Sequence, residues 1–183
     1  QPKTPTNISD VNLNYVALDI NADPIKIACY KKSPSDSGFT QFKTETLIAG
    51  GNASHCALSS ILSTEGTYQF YVTATSSLTV TSSTISLDYK TSGPGAPSDY
   101  RKDRPNNCDY KIHFKTADDS GKTVRVEIYR ADITSFIADN GSKVGDITIG
   151  SNQEYDFTNS VPDCNKYYYF VLRAFDSAGN GSS

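Results

Sequence analysis

The chain has 183 residues, of which 37% are hydrophobic and 20% charged, with 12 Tyr, 8 Phe, no Met and no Trp. A composition this rich in Tyr, Ser and Thr favours strands over helices. The net charge of −3 excludes the basic face that phosphate neutralisation requires, so no nucleic-acid partner is expected, and no run approaches the roughly 18 apolar residues of a membrane span.

From its first residues the pattern is that of alternating strands. The chain opens on Gln1 without a charged-then-apolar leader, so any secretion signal is expected to have been removed or to lie outside it. Val16, Leu18 and Ile20 alternate with Ala17 and Asp19 as in a half-buried strand. In "PIKIACYKK", Pro24 to Lys32, the residues Ile25, Ile27 and Cys29 share one face. The clusters "SPSDSG" and "AGGNAS" read as turns, and "YQFYVTAT" from Tyr68 is the next strand. Ile85, Leu87 and Tyr89 then alternate with Ser86 and Asp88.

"TSGPGAPSD", Thr91 to Asp99, interrupts the pattern with Pro and Gly, which stop one sheet before another begins. Arg101, Lys102 and Arg104 carry their own acid in Asp103, and read as a solvated segment, with phosphate or glycan contact the lesser reading. Strand signals resume with Tyr110, Ile112 and Phe114 alternating with Lys111, His113 and Lys115, continue in "TVRVEIYRA" from Thr123, and close in "YYFVLRAF" from Tyr168. "ADDSGK" and "DNGSKVGD" are the intervening turns. No stretch has a convincing helical period.

An internal repeat divides the chain. Ile25, Ile27 and Cys29 align with Val124, Val126 and Ile128 at a separation of 99 residues, and Tyr68, Phe70, Val72 and Ala74 with Tyr168, Phe170, Leu172 and Ala174 at 100. Two copies of about a hundred residues make two ordinary domains. The expected division is residues 1–91, a linker at 92–98, and residues 99–183. All-β units of this size with short alternating strands read as antiparallel sandwiches.

"LSTEGTYQFYVTA" resembles the signature of fibronectin type III domains, with Leu62, Gly66 and Tyr68 at the spacing that precedes the family's F strand. "VPDCNKYYYFVLRAFDSAGN" resembles the same region, including the "AGN" that follows the F strand. The resemblance implies two tandem antiparallel β-sandwich domains. It also makes Tyr68 and Tyr168 the structural tyrosine-corner residues, each donating its hydroxyl to backbone just upstream. The Trp typical of the family's B strand is missing from both copies, with Ile20 and Phe114 near where it would sit. A related immunoglobulin-like sandwich is the alternative.

Four cysteines allow three pairings, and spacing does not choose among them. Cys29 lies in phase with Ile25 and Ile27, facing the first core, and Cys56 maps onto Tyr155. Ile128 and Tyr155 are then expected as the core neighbours that replace a Cys29–Cys56 bridge in the second copy. In a type III sandwich the positions of Cys108, before strand B, and Cys164, before strand F, lie at the same end, which implies Cys108–Cys164. Two intradomain disulfides imply an oxidising compartment, extracellular or at the cell surface.

Catalytic, metal-binding and cofactor-binding constellations are not expected. The two histidines lie outside any triad or zinc motif: His113 reads as a solvated strand residue, and His55, beside Cys56, has no second ligand pair. Asp118 and Asp119 form an acidic pair, and Asp139, Asn140 and Asp146 a looser set that lacks calcium-loop spacing. Asn7, Asn52, Asn140 and Asn180 begin candidate glycosylation sequons.

Function is therefore read from architecture: a non-catalytic extracellular module pair, a spacer, adhesion or protein-interaction segment with a protein or glycan ligand. The alternatives are a surface-fibre subunit that shares strands, and an accessory carbohydrate-binding module. Tyr71, Tyr167 and Tyr169 on the outer F-strand faces are the candidate ligand-facing aromatics, although Tyr on a sheet face is more often cross-strand packing. Adding the repeat offset to Ile85 runs past Ser183, so the second domain is expected to lack its last strand. Either the natural chain continues, the favoured reading, or a strand-sharing neighbour fills the open edge.

Overall fold

A computed structural model describes residues 4–47 and 51–183, with side chains at 51 and 52 outside the described set. All regular structure among these residues is β-strand. The chain divides into two compact units, Gln1–Thr91 and Ser92–Ser183.

In the first unit, β1 (Asn12–Leu18) pairs antiparallel with β4 (Gly51–Ala57). The facing sheet runs β3 (Thr40–Leu47), β2 (Ile25–Lys32), β5 (Gly66–Thr75), with β6 (Thr79–Thr81) and β7 (Ile85–Tyr89) both on the far edge of β5. The two-residue alternation of β2 and β5 sends Ile27, Cys29, Tyr68 and Phe70 into the core. There, with Cys56, Leu58 and Leu87, they are wholly buried.

β1 faces the opposite way from the Val16, Leu18 and Ile20 pattern. Leu13 pairs with Cys56, whose disulfide to Cys29 fixes it inward. Leu13 and Ala17 are consequently buried and Tyr15 half-buried, while Val16 and Leu18 are 69% and 79% exposed. A one-residue change of phase moves every side chain to the other face, and the covalent tie outweighs the larger apolar set. Ile20 lies in the turn that closes from Ala22 N–H to Asp19 C=O and is fully exposed, so it does not occupy the missing-Trp volume. Of the "AGGNAS" stretch, Gly51 to Ser54 belong to β4, and residues 48–50 lie outside the described set.

Tyr68 ties β5 to the turn before it, with the hydrogen-bond direction reversed from expectation. Its hydroxyl oxygen accepts from the Ser63 and Thr64 N–H groups at 3.2 and 3.1 Å. Gly66, which opens β5, has a φ of +137°, and a Cβ there would lie 2.6 Å from Pro34 Cγ, so the position favours glycine. Tyr68→Phe leaves both N–H groups without this partner and is expected to cost on the order of 1 kcal/mol or somewhat more. Tyr71→Phe keeps its ring contacts and should cost less. Chemical denaturation of the two variants compares them, and equal losses would refute the corner role.

In the second unit, β8 (Ser98–Asp103), β9 (Asp109–Lys115) and β12 (Glu154–Ser160) form one sheet with β9 central. β11 (Lys143–Thr148), β10 (Arg125–Ala131) and β13 (Tyr169–Phe175) form the other, with β10 central. Ile112, Phe114, Val126, Ile128 and Ala174 are wholly buried between them. Tyr155 is not a core residue as the repeat suggested. It is the second residue of β12, at the rim, and is 41% exposed with its ring against Phe114. Phe157, opposite Ile112, packs into the core instead.

The expected linker is built into the second unit. Pro94 is buried, a Cβ on Gly93 would lie 2.5 Å from the Gly181 carbonyl oxygen, and the Gly95 N–H donates to Asp119. β8 already starts at Ser98 and includes Arg101 to Asp103, so these three residues of the basic cluster lie on an exposed edge strand. Past β13 the chain turns back: Gly181 bridges Phe175, and Ser182 bonds Ala174.

Candidate interaction surface

Each histidine is accounted for by its surroundings. His55 is exposed on β4. His113 Nδ1 lies 2.8 Å from Asp156 directly across the β9–β12 ladder, and Lys111 Nζ lies 2.9 Å from the other carboxylate oxygen. Lys111 and then His113 hold the Asp156 carboxyl below its ordinary range. This is a cross-strand charge cluster.

Among the described residues there is no group of three or more His, Cys, Asp or Glu able to hold a metal. In "DNGSKVGD", Asp139 Oδ1 accepts from the Gly141 and Ser142 N–H groups, an Asx turn, while exposed Asn140 stands apart. Asp146 is on β11, paired with Lys143 at 3.2 Å and Arg125 at 3.6 Å. Asp118 is exposed, and Asp119 organises its own loop.

Among the described residues, the one buried carboxylate within a strand is Glu127, held by Tyr129, Arg125 and Lys143. Burial pushes the Tyr129 hydroxyl up to about 12, helped by its hydrogen bond to Glu127. Burial would also raise Glu127, but the bonds from Tyr129, Arg125 and Lys143 outweigh it and lower the carboxyl. Its oxygens are engaged by side chains of its own sheet.

The outer aromatics divide. Tyr71 stacks on Tyr30 at 4.6 Å and meets the edge of Phe39 at 4.8 Å, so its ring is committed to cross-strand packing. Tyr167 is 71% exposed with the Arg104 guanidinium 5.0 Å from its ring centre, and Tyr169 has Lys102 Nζ at 5.5 Å. Both cations also reach backbone: Arg104 to the Asn107 and Cys164 carbonyls, Lys102 to that of Tyr168 at 3.0 Å. They anchor the edge of their own unit, using donors that an anionic ligand would need. Tyr168 is buried beside Tyr110 with Arg130 over its ring, and among the described residues its hydroxyl makes no upstream backbone bond like that of Tyr68.

Of the sequons, Asn7 and Asn140 are exposed, and the Asn52 side chain lies outside the described residues. Asn180 Nδ2 donates to Asp176 at 2.9 Å, which ties up the nitrogen that a glycan would modify.

Each unit carries a disulfide, Cys29–Cys56 in the first and Cys108–Cys164 in the second. The first is wholly buried, and the second is half-buried near the Arg104 contact. Two surface features were missed in reading the residues. One is a groove of about 580 Å³ in the first unit, where Val16, Leu18, Leu78 and Val80 stand over Ile27 and Val72. One wall, Val16 and Leu18, comes from residues whose phase the sequence pattern reversed. The other is the cation pair on Tyr167 and Tyr169, for which spacing between remote segments gives no signal.

No family model matches the sequence, and no curated protein is similar to it. Among solved structures, the chain is similar to the crystal structure of the FN1–FN3 domains of chicken contactin-1, at 16% identity and a TM-score of 0.50. The match covers 98% of this chain and 66% of that one. The fold is thus an all-β, fibronectin type III-like sandwich arrangement.

Proposed function

We propose that this chain is a non-catalytic pair of extracellular modules, acting as a spacer or adhesion segment that engages a protein or glycan ligand. One disulfide in each sandwich carries the reading, because a bridge in both units needs an oxidising compartment to form and persist. The likeness to adjoining type III domains of contactin-1 supports the modular part of it. The engaged state of Glu127, His113 and Asp119 supports the absence of catalysis, since each acid or base already has its partners.

Non-reducing peptide mapping of the protein isolated from its natural source, with hydrolysis assays on polysaccharides and peptides, tests the proposal. The expected result is Cys29 joined to Cys56, Cys108 joined to Cys164, and no turnover. Free thiols throughout, or a hydrolytic product, would refute it.

A further inference from the structure

We propose that the outer edge of β1 pairs antiparallel with the same edge of a second copy of this chain, about a two-fold axis at Tyr15. The proposal goes beyond the spacer reading and does not depend on it. In a strand, the N–H and C=O of one residue point to the same edge, and successive residues alternate. The Leu58 N–H donates to the Val11 C=O at 2.9 Å, which continues the β1–β4 ladder and sets its phase. Leu13, Tyr15 and Ala17 therefore turn their backbone groups to β4. Asn12, Asn14, Val16 and Leu18 turn theirs to the opposite edge, where nothing among the described residues pairs with them. The same four side chains are exposed.

The chain's own leading segment is committed elsewhere. In the second unit β8 pairs with the corresponding edge of β9. In the first unit the segment before β1 goes instead to β7: the Thr6 N–H donates to the Asp88 C=O, and the Thr6 C=O accepts from the Lys90 N–H, both at 2.9 Å. The far edge of β4 is capped by Lys43, whose Nζ donates to the His55 C=O at 2.6 Å. Only the β1 edge of this two-stranded sheet is left open among the described residues.

The composition of β1 points to its own copy as the occupant. Edge strands resist pairing with their copies through charged side chains, prolines and bulges. β3 carries Lys43 and Glu45, β8 Arg101 and Lys102, β11 Lys143 and Asp146, and β12 Glu154 and Asp156. β3, β8 and β11 also meet their neighbours through a register shift. β1, NLNYVAL, has no charge and no proline, and its seven pairs with β4 run without a shift. An uncharged edge gives a foreign strand no electrostatic selection, but it matches itself. With the axis at Tyr15, Asn12 lies opposite Leu18 and Asn14 opposite Val16, so all four edge residues of each copy are paired. The two Val16 side chains, each 69% exposed in one copy, then lie on the cross-strand diagonal and cover one another.

Sedimentation velocity of the 183-residue chain from about 1 μM to about 1 mM, with residue-level amide exchange at both ends of that range, is the test. A reversible dimer is expected. The Asn14, Val16 and Leu18 amides should exchange fast in dilute solution and slow as it forms, while those of Leu13, Tyr15 and Ala17 are slow throughout. Val16→Lys places two ammonium groups on the diagonal and should weaken dimerisation by about tenfold or more. The same change at Ile137, 79% exposed in the second unit, should leave it unaltered. A monomer throughout that range, association that Ile137→Lys weakens as much as Val16→Lys, or a dimer that leaves the three edge amides fast would overturn the proposal.

Discussion

Replacing Cys29 and Cys56 together with alanine is expected to destabilise the first unit by roughly 3–5 kcal/mol. The bridge closes a separation of 27 residues, for which loop-closure entropy in the unfolded chain alone predicts about 3.5 kcal/mol. Both sulfurs are wholly buried among Leu13, Ile27 and Leu58, so the double substitution also removes packed atoms and leaves a void. Alanine at Cys108 and Cys164 opens a longer loop of 56 residues, worth about 4 kcal/mol on the same model, but those sulfurs are only half-buried and add less packing loss. Urea unfolding followed through amide probes in each unit separates the two effects. A loss below about 1 kcal/mol in either unit would mean that the reduced chain keeps the same constraint by other means.

Cys29 and Tyr68 illustrate what the residues disclosed in advance. Both sit on central strands buried on one face, where a two-residue period has a single reading, and the repeat supplied each strand twice. β1 illustrates what they concealed. Leu13, Tyr15 and Ala17 carry less apolar bulk than Val16, Leu18 and Ile20, and the period alone ranks the faces by bulk. The deciding fact is the register of Leu13 with Cys56, a contact more than forty residues away in sequence. Tyr155 failed for a related reason: the offset located its strand, but burial at a strand end depends on where the facing sheet stops. The cations on Tyr167 and Tyr169 come from the far side of the fold's sequence order, and no local pattern marks them.

Asp119→Asn is expected to lower the stability of the second unit at pH 7 by about 1–2 kcal/mol, with the gap from the native protein closing as the solution is acidified. Asp119 joins three segments. It accepts from the Gly95 N–H at 3.3 Å, from the Thr123 hydroxyl at 2.6 Å and N–H at 3.2 Å, and from the Ser151 hydroxyl. Burial alone would raise its pKa, but the bonds from Ser151, Thr123 and Gly95 favour the charged form more strongly and bring it down to about 2. A carboxyl with a folded pKa below its unfolded value stabilises the fold above the unfolded pKa and loses that contribution as pH falls through the folded one. The full shift would correspond to about 2.4 kcal/mol, and the partial exposure of the side chain screens it to the lower figure. Asparagine keeps the shape of the protonated acid without the charge. The difference between native protein and variant should therefore be constant above about pH 5, shrink between pH 4 and 2, and be nearly gone below pH 2. Glu45, held near 2 by Tyr15 first and then Lys43 and Ser54, gives the first unit an acid loss of its own, which the Asp119 variant leaves untouched. Thermal melts across that range, read in each unit, make the comparison. A gap that stays constant down to pH 2 would show that the charge on Asp119 contributes nothing and that the loop is held by geometry alone.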